Sequence, residues 1–346
     1  MLVESPAIVP AIFSRYRERI YQEMLRAIRG PDLSLYAMVR YQLGWVDATG
    51  ARVTADRGKA IRPTLCLLMC EALGGDVEGA IPSAAGLELL HNFSLIHDDV
   101  MDGDEMRRHR PTVWSIWGQA QAIDVGDLLH VLAMLNVIGS NRDGEDPVLS
   151  RDSAEVMARG CRLVTEGQHL DLEFESRPKV TVDQYVGMIE RKSAALISVA
   201  FEMAAIFSGN ASEVRKACQV YGRLLGTAFQ IRDDMLGIWG DPAVTGKPVG
   251  ADIRKRKKTL PIIHAFENAT EQDRLRLTDL YSNDAETPDP AAVMTILDQA
   301  DSYAFSDEFM RTYLQQASAS TAKLPISDWG RQNLEEVAVY VAGRTN

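Results

Sequence analysis

Residues 95–112, "LIHDDVMDGDEMRRHRPT", place acids first and bases second: Asp98, Asp99, Asp102, Asp104 and Glu105, then Arg107, Arg108 and Arg110. A solvated helix face mixes its signs, so this ordering asks for a chemical reason. On a helix Asp98 and Asp102 lie one above the other, and two carboxylates so placed repel by about 0.3 kcal/mol, with Asp99 adding to the crowding. A cation between them removes the repulsion, and all-oxygen ligands favour Mg²⁺.

A second acidic patch strengthens that reading. "QIRDDMLGIWGD" (230–241) carries Asp233 and Asp234 at the end of another long apolar stretch, with Asp241 just beyond. Two acidic pairs, each at the polar end of an otherwise buried helix, predict carboxylates facing one another across one cavity. Mg²⁺ keeps several waters and bridges one or two carboxylates to phosphates, so the expected occupant is phosphorylated. Basic residues are placed to match: Arg107 and Arg108, Lys59 and Arg62 in "RGKAIRP" (57–63), Arg191 and Lys192 before "SAALI", Lys247 in "TGKP", and "RKRKK" (254–258). Any one of these clusters alone reads as solvated surface. Together, in a chain of net charge −11, they predict two diphosphate sites, one bridged by metal and one held directly by Arg and Lys. The same net charge argues against nucleic-acid binding, which needs a basic surface.

The elements that must position these groups read as helices. Periodicity of 3.6 residues runs through 62–75, 81–102, 157–175, 182–209 and 212–240, and alternating strands are absent. Gly74-Gly75 ends the first of these, and Pro82 with Ser83 reads as the start of the second. Segments 140–146, 240–257 and 282–290, rich in Gly, Pro and charge, read as loops. The expectation is one all-α domain over 1–346, with ten or more helices and the wholly apolar ones at its centre. Cys66, Cys70, Cys161 and Cys218 form no CxxC pair and read as small buried hydrophobes of a reducing compartment. The start of the chain lacks the basic-then-apolar pattern of a signal peptide. The apolar runs 128–139 and 194–207, broken by His130 and Glu202, fall short of the roughly 20 residues that span a bilayer. A cytoplasmic protein without stable membrane insertion is expected.

At this point the motifs resemble a known family, the trans-isoprenyl diphosphate synthases, or short-chain polyprenyl synthetases. "RGKAIRP", "ELLHNFSLIHDDVMDGDEMRRHRPT" (88–112), "EGQHLDLEF" (166–174), "RKSAALI" (191–197), "FQIRDDMLGIWGD" (229–241) and "TGKPVGADIRKRKKTLP" (245–261) follow in that family's order. The resemblance covers about residues 50–265. It implies an isoprenoid synthase-type helical bundle around a deep central cavity, normally a homodimer. It also implies Mg²⁺-dependent head-to-tail condensation of isopentenyl diphosphate with an allylic diphosphate.

Carried over position by position, the resemblance makes Asp98, Asp102 and Asp233 the metal ligands, supported by Asp99 and Asp234. Lys59, Arg62, His91 and Arg108 would hold isopentenyl diphosphate. Arg107, Lys192, Gln230, Lys247 and Lys257 would hold the allylic diphosphate, with Gln168, Asp171 and Ser193 lining the same cavity. Phe93 and Ser94, five and four residues before Asp98, would lie about 6–7.5 Å deeper along the helix and help set the floor of the product cavity. The family pattern there leans to a C20 product, then C15.

Three positions depart from the pattern: Gly237 stands where many members have a third aspartate, His109 where a glycine usually follows the basic doublet, and Arg57 before Gly58. Asp124 sits at an otherwise apolar place. Two rival readings are a class I terpene cyclase or irregular prenyl coupling enzyme, and a non-catalytic helical partner subunit. The first has less use for a complete isopentenyl site, and the second should have lost acidic pairs.

Overall fold

Asp76 begins the helix that carries the first acidic patch, its side chain accepting a hydrogen bond from Gly79 N. The computed structural model describes residues 9–53, 58–139, 147–242, 249–282 and 287–344. In chain order, α1 (Ile12–Arg15), α2 (Arg17–Ala27) and α3 (Ser34–Gln42) precede α4 (Ile61–Ala72) and α5 (Val77–Met101). A two-stranded hairpin, β1 (Met106–Arg107) and β2 (Arg110–Pro111), leads to α6 (Val113–Trp117), α7 (Gln119–Ile138) and α8 (Pro147–Ser176). Then come α9 (Val182–Ile189), a π-helical turn (Glu190–Ala194), α10 (Ala195–Phe207) and α11 (Ser212–Trp239). The remaining helices are α12 (Ala251–Arg254), α13 (Leu260–Asn268), α14 (Glu271–Ser282), α15 (Pro290–Gln299), α16 (Ser302–Ser320) and α17 (Asp328–Gly343).

The all-α expectation holds, and so does the central place of 194–207, whereas the other apolar run, 128–139, leaves Val131, Leu135 and Ile138 exposed on α7. In α10 every residue but Ser198 is buried, and the helix packs against α4, α5, α8 and α11. A helix that is apolar all round has no face to give to water, so it becomes the axis of the bundle. One buried cluster runs from Ile12 to Val341. A smaller one, including Ile238, Ile253, Ile262 and Leu277, packs beneath α12 to α15.

Two expectations need correction. The second predicted helix starts at Val77, not at Pro82 and Ser83, because Asp76 supplies the cap. Pro82 lies inside it and forgoes only the backbone bond back to Glu78. The stretch 182–209 is not one regular α-helix either. It contains the π turn Glu190–Ala194, a wider coil that is frequent at functional sites.

Candidate active site

The π turn carries Arg191, Lys192 and Ser193, so the irregular coil coincides with the predicted basic cluster. Its neighbours leave room for it. A Cβ on Gly167 of α8 would lie 2.5 Å from Lys192 Cα, and one on Gly226 of α11 would lie 2.7 Å from Ala194 Cα. Glycine at both positions lets two long helices close directly on the backbone of the turn. Lys192 forms an ion pair with Asp171. Burial opposes its charge, but Asp171 and Asp98 outweigh burial and raise its pKa.

The first acidic patch sits where α5 ends, with Asp102 as its C-terminal cap residue. Burial holds Asp98 above the usual carboxylate range, although Lys192 draws it down. Burial also acts on Asp102, but Lys257, Lys192 and Lys255 together overcome it and leave Asp102 below the usual range. Lys257 Nζ stands 3.4 Å from Asp102 Oδ2, and Lys255 pairs with Asp104. Asp99 points elsewhere. It is buried, accepts a 2.7 Å hydrogen bond from Arg107 Nε, and its pKa is pushed up to about 6, chiefly by burial.

The second patch is tied in from three sides. Asp234 accepts hydrogen bonds from Tyr185 Oη and Gln230 Nε2, each 2.7 Å. Burial, then the charge of Asp252, push its pKa up to about 7. Asp233 pairs with Arg344, which follows α17, lies buried, and stacks 3.7 Å over the Phe229 ring. Burial first, then Arg232 and Arg62, bring Arg344 down to about 9. Lys257 links the two patches: it contacts Asp102 and feels Asp252, Asp171 and Asp234 strongly enough to keep its charge despite burial.

The remaining cations come from the start of α4 and from the hairpin. Lys59 donates to Tyr340 Oη at 2.7 Å. Arg62 is enclosed, with an unpartnered Nε and a pKa lowered to about 10 by burial. The hairpin turn consists of Arg108 and His109, both with positive φ, 50° and 61°. Two-residue hairpin loops demand that conformation, and glycine reaches it without strain. That is the physical content of the His109 departure: His109 takes a backbone shape that suits glycine, and so holds Arg108 in place. Opposite it, a Cβ on Gly58 (φ 75°) would come 2.7 Å from Arg108 Nη1, so Gly58 clears space for that guanidinium. His91 is kept neutral by burial and then by Arg62, Arg108 and Arg107.

Many of these groups line one cleft of about 560 Å³. It gathers Lys59, Arg62, His91, Arg107, Arg108, Asp171, Lys192, Ser193, Gln230, Asp233, Asp234 and Lys257 of the predicted set. Asp98 and Asp102 are not among its lining residues, but Lys257 contacts Asp102 and the charge of Lys192 acts on Asp98. Gln168 is buried, with Nε2 3.8 Å from Met101 Sδ and Oε1 unpartnered. Lys247 lies outside the described residues. Phe93 packs its ring between His97 and His130, 4.8 and 5.1 Å between centroids, and Ser94 Oγ donates to His91 O. Arg191 turns away to Gly187 O and Glu166, and Asp124 and Asp241 are exposed.

Among the lining residues that sequence reasoning missed are Glu88, Tyr185, Asp252 and Arg344. Glu88 is buried one turn before His91 and faces Arg62 and Arg108. It and Asp252 stood inside quoted motifs, as acids in apolar or basic surroundings. Tyr185 and Arg344 had no local signal. Asp99 and Glu88 also border a second, smaller pocket, of about 120 Å³, on the far side of the arginine doublet.

Among the described residues, no three His, Cys, Asp or Glu side chains converge to hold a bare ion by themselves. The donor set still fits a hydrated hard cation. Asp98, Asp102 and Asp233 are oxygen donors beside lysines and arginines suited to phosphate, and Mg²⁺ needs only one or two carboxylates when water and phosphate complete its shell.

A sequence profile of the polyprenyl synthetase family matches residues 44–298. The chain is 38% identical over 317 residues to a (2E,6E)-farnesyl diphosphate synthase of Mycobacterium tuberculosis, covering 90% of this chain and 87% of that one. It is 40% identical over 261 residues to a geranylgeranyl diphosphate synthase of the same organism, covering 75% and 73%. The crystal structure of a polyprenyl synthetase from Streptomyces coelicolor superposes with a TM-score of 0.88 at 33% identity, over 96% of this chain and 98% of that one.

Proposed function

The chain belongs to the polyprenyl synthetase family and is a prenyltransferase, and on that premise we propose that it builds a C20 prenyl diphosphate, with C15 as the second choice. The reaction is the Mg²⁺-dependent, head-to-tail condensation of isopentenyl diphosphate with allylic diphosphates. One observation carries the reading: a single cleft holds two separate sets of cations. Lys192 and Lys257 stand beside the acidic patches, while Arg62 and Arg108 act on His91 and Lys59 lines the same cleft. A cyclase, which ionises one allylic diphosphate, has no use for the second set.

Asp98, Asp102 and Asp233 would hold the metal, with Asp99 and Asp234 in support. Bound there, Mg²⁺ supplies electrostatic stabilisation of the departing diphosphate. Lys192, Lys257, Arg107, Gln230 and Lys247 bind and orient the allylic diphosphate, and Lys59, Arg62, His91 and Arg108 hold isopentenyl diphosphate. His91, uncharged, can donate or accept without adding charge. The proton lost after carbon–carbon bond formation is taken by the released pyrophosphate. The apolar walls exclude the water that would quench an allylic cation.

We propose a cytoplasmic homodimer, acting as one domain over 1–346. The exposed face of α7 supports a second copy as its cover: Ile123, Val131, Leu135 and Ile138 are each about half exposed there, an apolar stripe of the kind that marks an interface. By length and composition that helix would also span a membrane, but 44% of its most apolar window is already buried in the fold.

Incubation with Mg²⁺, isopentenyl diphosphate and separate C5, C10 and C15 primers, followed by chromatography, tests the reading. Linear C20 or C15 diphosphates are expected. Cyclised products, or pyrophosphate release without elongation, would overturn it, and no turnover with any primer would favour the partner-subunit reading.

A further inference from the structure

The two acidic patches differ at one position. In the first, Asp102 stands four residues after Asp98; in the second, the residue four after Asp233 is Gly237. A Cβ built on Gly237 would lie 2.5 Å from Cγ of Asp252 and overlap one of its carboxylate oxygens. The Asp252 carboxylate therefore fills the space that a side chain at position 237 would take, one turn beyond Asp233 on the same face. From this geometry we infer that Asp252, reaching in from α12, completes the second patch as the partner of Asp233 in holding a hydrated divalent cation. The inference rests on the metal-dependent reading above and adds a residue to it.

Three features fix Asp252 there. Gly250, with φ 70°, starts α12, and its N donates to Ile238 O at 3.1 Å, beside Gly237. Ile253 is fully buried in the same cluster as Ile238. Beyond α12, Lys258 Nζ donates to Phe174 O at 2.7 Å and Glu175 O at 3.1 Å, carbonyls at the end of α8 that favour a cation. Asp252 lines the cleft with Asp233 and Asp234, and after burial its charge is the largest influence on both Asp234 and Lys257. Gly237 is thus the space that lets a neighbouring element supply the acid. The two patches then match in outline, the first built from one helix end and the second from two elements.

The alternative is that Asp252 serves only as counter-ion to Lys257. Mn²⁺ binding to the full chain in the presence of inorganic pyrophosphate, followed by the electron spin resonance of free Mn²⁺, separates the two. Asp252→Asn, nearly isosteric, should weaken Mn²⁺ on the order of 10- to 100-fold, the range for lost metal-site partners. Gly237→Asp combined with Asp252→Gly, which moves the acid to the helix, should bring the affinity back to within a few-fold of the starting protein. Unchanged Mn²⁺ affinity in Asp252→Asn, or no recovery in the exchanged pair, would overturn the assignment. Asp98→Asn and Asp233→Asn serve as controls. If both also leave Mn²⁺ binding intact, the metal reading itself falls and takes this inference with it; if they lose it while Asp252→Asn does not, only Asp252 is misassigned.

Discussion

The two acidic patches serve one cleft but are constructed by opposite means. The first is local: Asp98, Asp99 and Asp102 lie within five residues at one helix end, and only its basic partners, the lysines and Arg107, come from elsewhere. The second gathers Asp233 and Asp234 from α11, Tyr185 from α9, and Arg344 from beyond α17, with Asp252 of α12 alongside. A patch written in one stretch of chain is rigid because the helix is rigid. A patch assembled from several elements depends on how those elements dock, and can be adjusted by any of them.

The largest expected effect tests the local patch. Asp98→Ala should lower turnover on the order of 10³-fold, comparable with removing a strong transition-state electrostatic contact. Steady-state condensation assays check it. Near-normal turnover would leave the first patch without a metal role.

Lys257→Ala tests the link between the patches. It removes the cation 3.4 Å from Asp102 and leaves Asp252 facing the cleft uncompensated, so the metal-free protein should lose stability by about 3 kcal/mol, as when a buried pair is broken. Mg²⁺ with pyrophosphate should restore much of that loss, because cations then fill the same place. Thermal melts with and without the two additives read it, and equal losses under both conditions would show that Lys257 is only a structural counter-ion.

Arg344→Ala acts on the assembled patch alone. Arg344 pairs with Asp233 and stacks on Phe229, so it competes with a divalent cation for that carboxylate. The variant should bind Mn²⁺ a few-fold more tightly, while losing about 1 kcal/mol of stability with the desolvated cation–π contact. Weaker Mn²⁺ binding would mean that Arg344 positions Asp233 for the metal.

The same contrast explains what the sequence made legible. Helix periodicity revealed the all-α fold and the central place of 194–207, because an apolar face is repeated residue by residue. The i, i+4 spacing revealed Asp98 and Asp102. It could not reveal that Asp99 turns to Arg107, since neighbouring helical positions differ by about 100° and the hairpin decides what lies opposite. The π turn was hidden because what packs on it is remote in sequence: Gly167 and Gly226 admit backbone contacts from two other helices. Gly237 looked like a lost acid, because only the docking of α12 shows what fills its space. His109 looked arbitrary until the hairpin fixed its φ.

The smallest effect is a pH dependence that separates the patches in the metal-free protein. An unfolded aspartate titrates near 3.9, whereas Asp234 is held up to about 7, by burial first and by Asp252 second. The folded state therefore binds this proton more tightly than the unfolded state does. The resulting stabilisation is complete below about pH 4 and is lost as pH rises toward 7. Asp102 behaves oppositely: its lowered pKa stabilises the fold above the unfolded value, and that contribution is lost as the solution is acidified. With chelator present, thermal midpoints of the native protein relative to Asp234→Asn should fall by a few degrees between pH 4.5 and 7.5. Relative to Asp102→Asn, the native protein should instead gain stability as pH climbs from 3 to 5. Parallel curves for Asp234→Asn and the native protein would show that Asp234 stays ionised in the fold. Tyr185 and Gln230 would then be sufficient to stabilise its charge, and the assembled patch would carry as many negative charges as the local one.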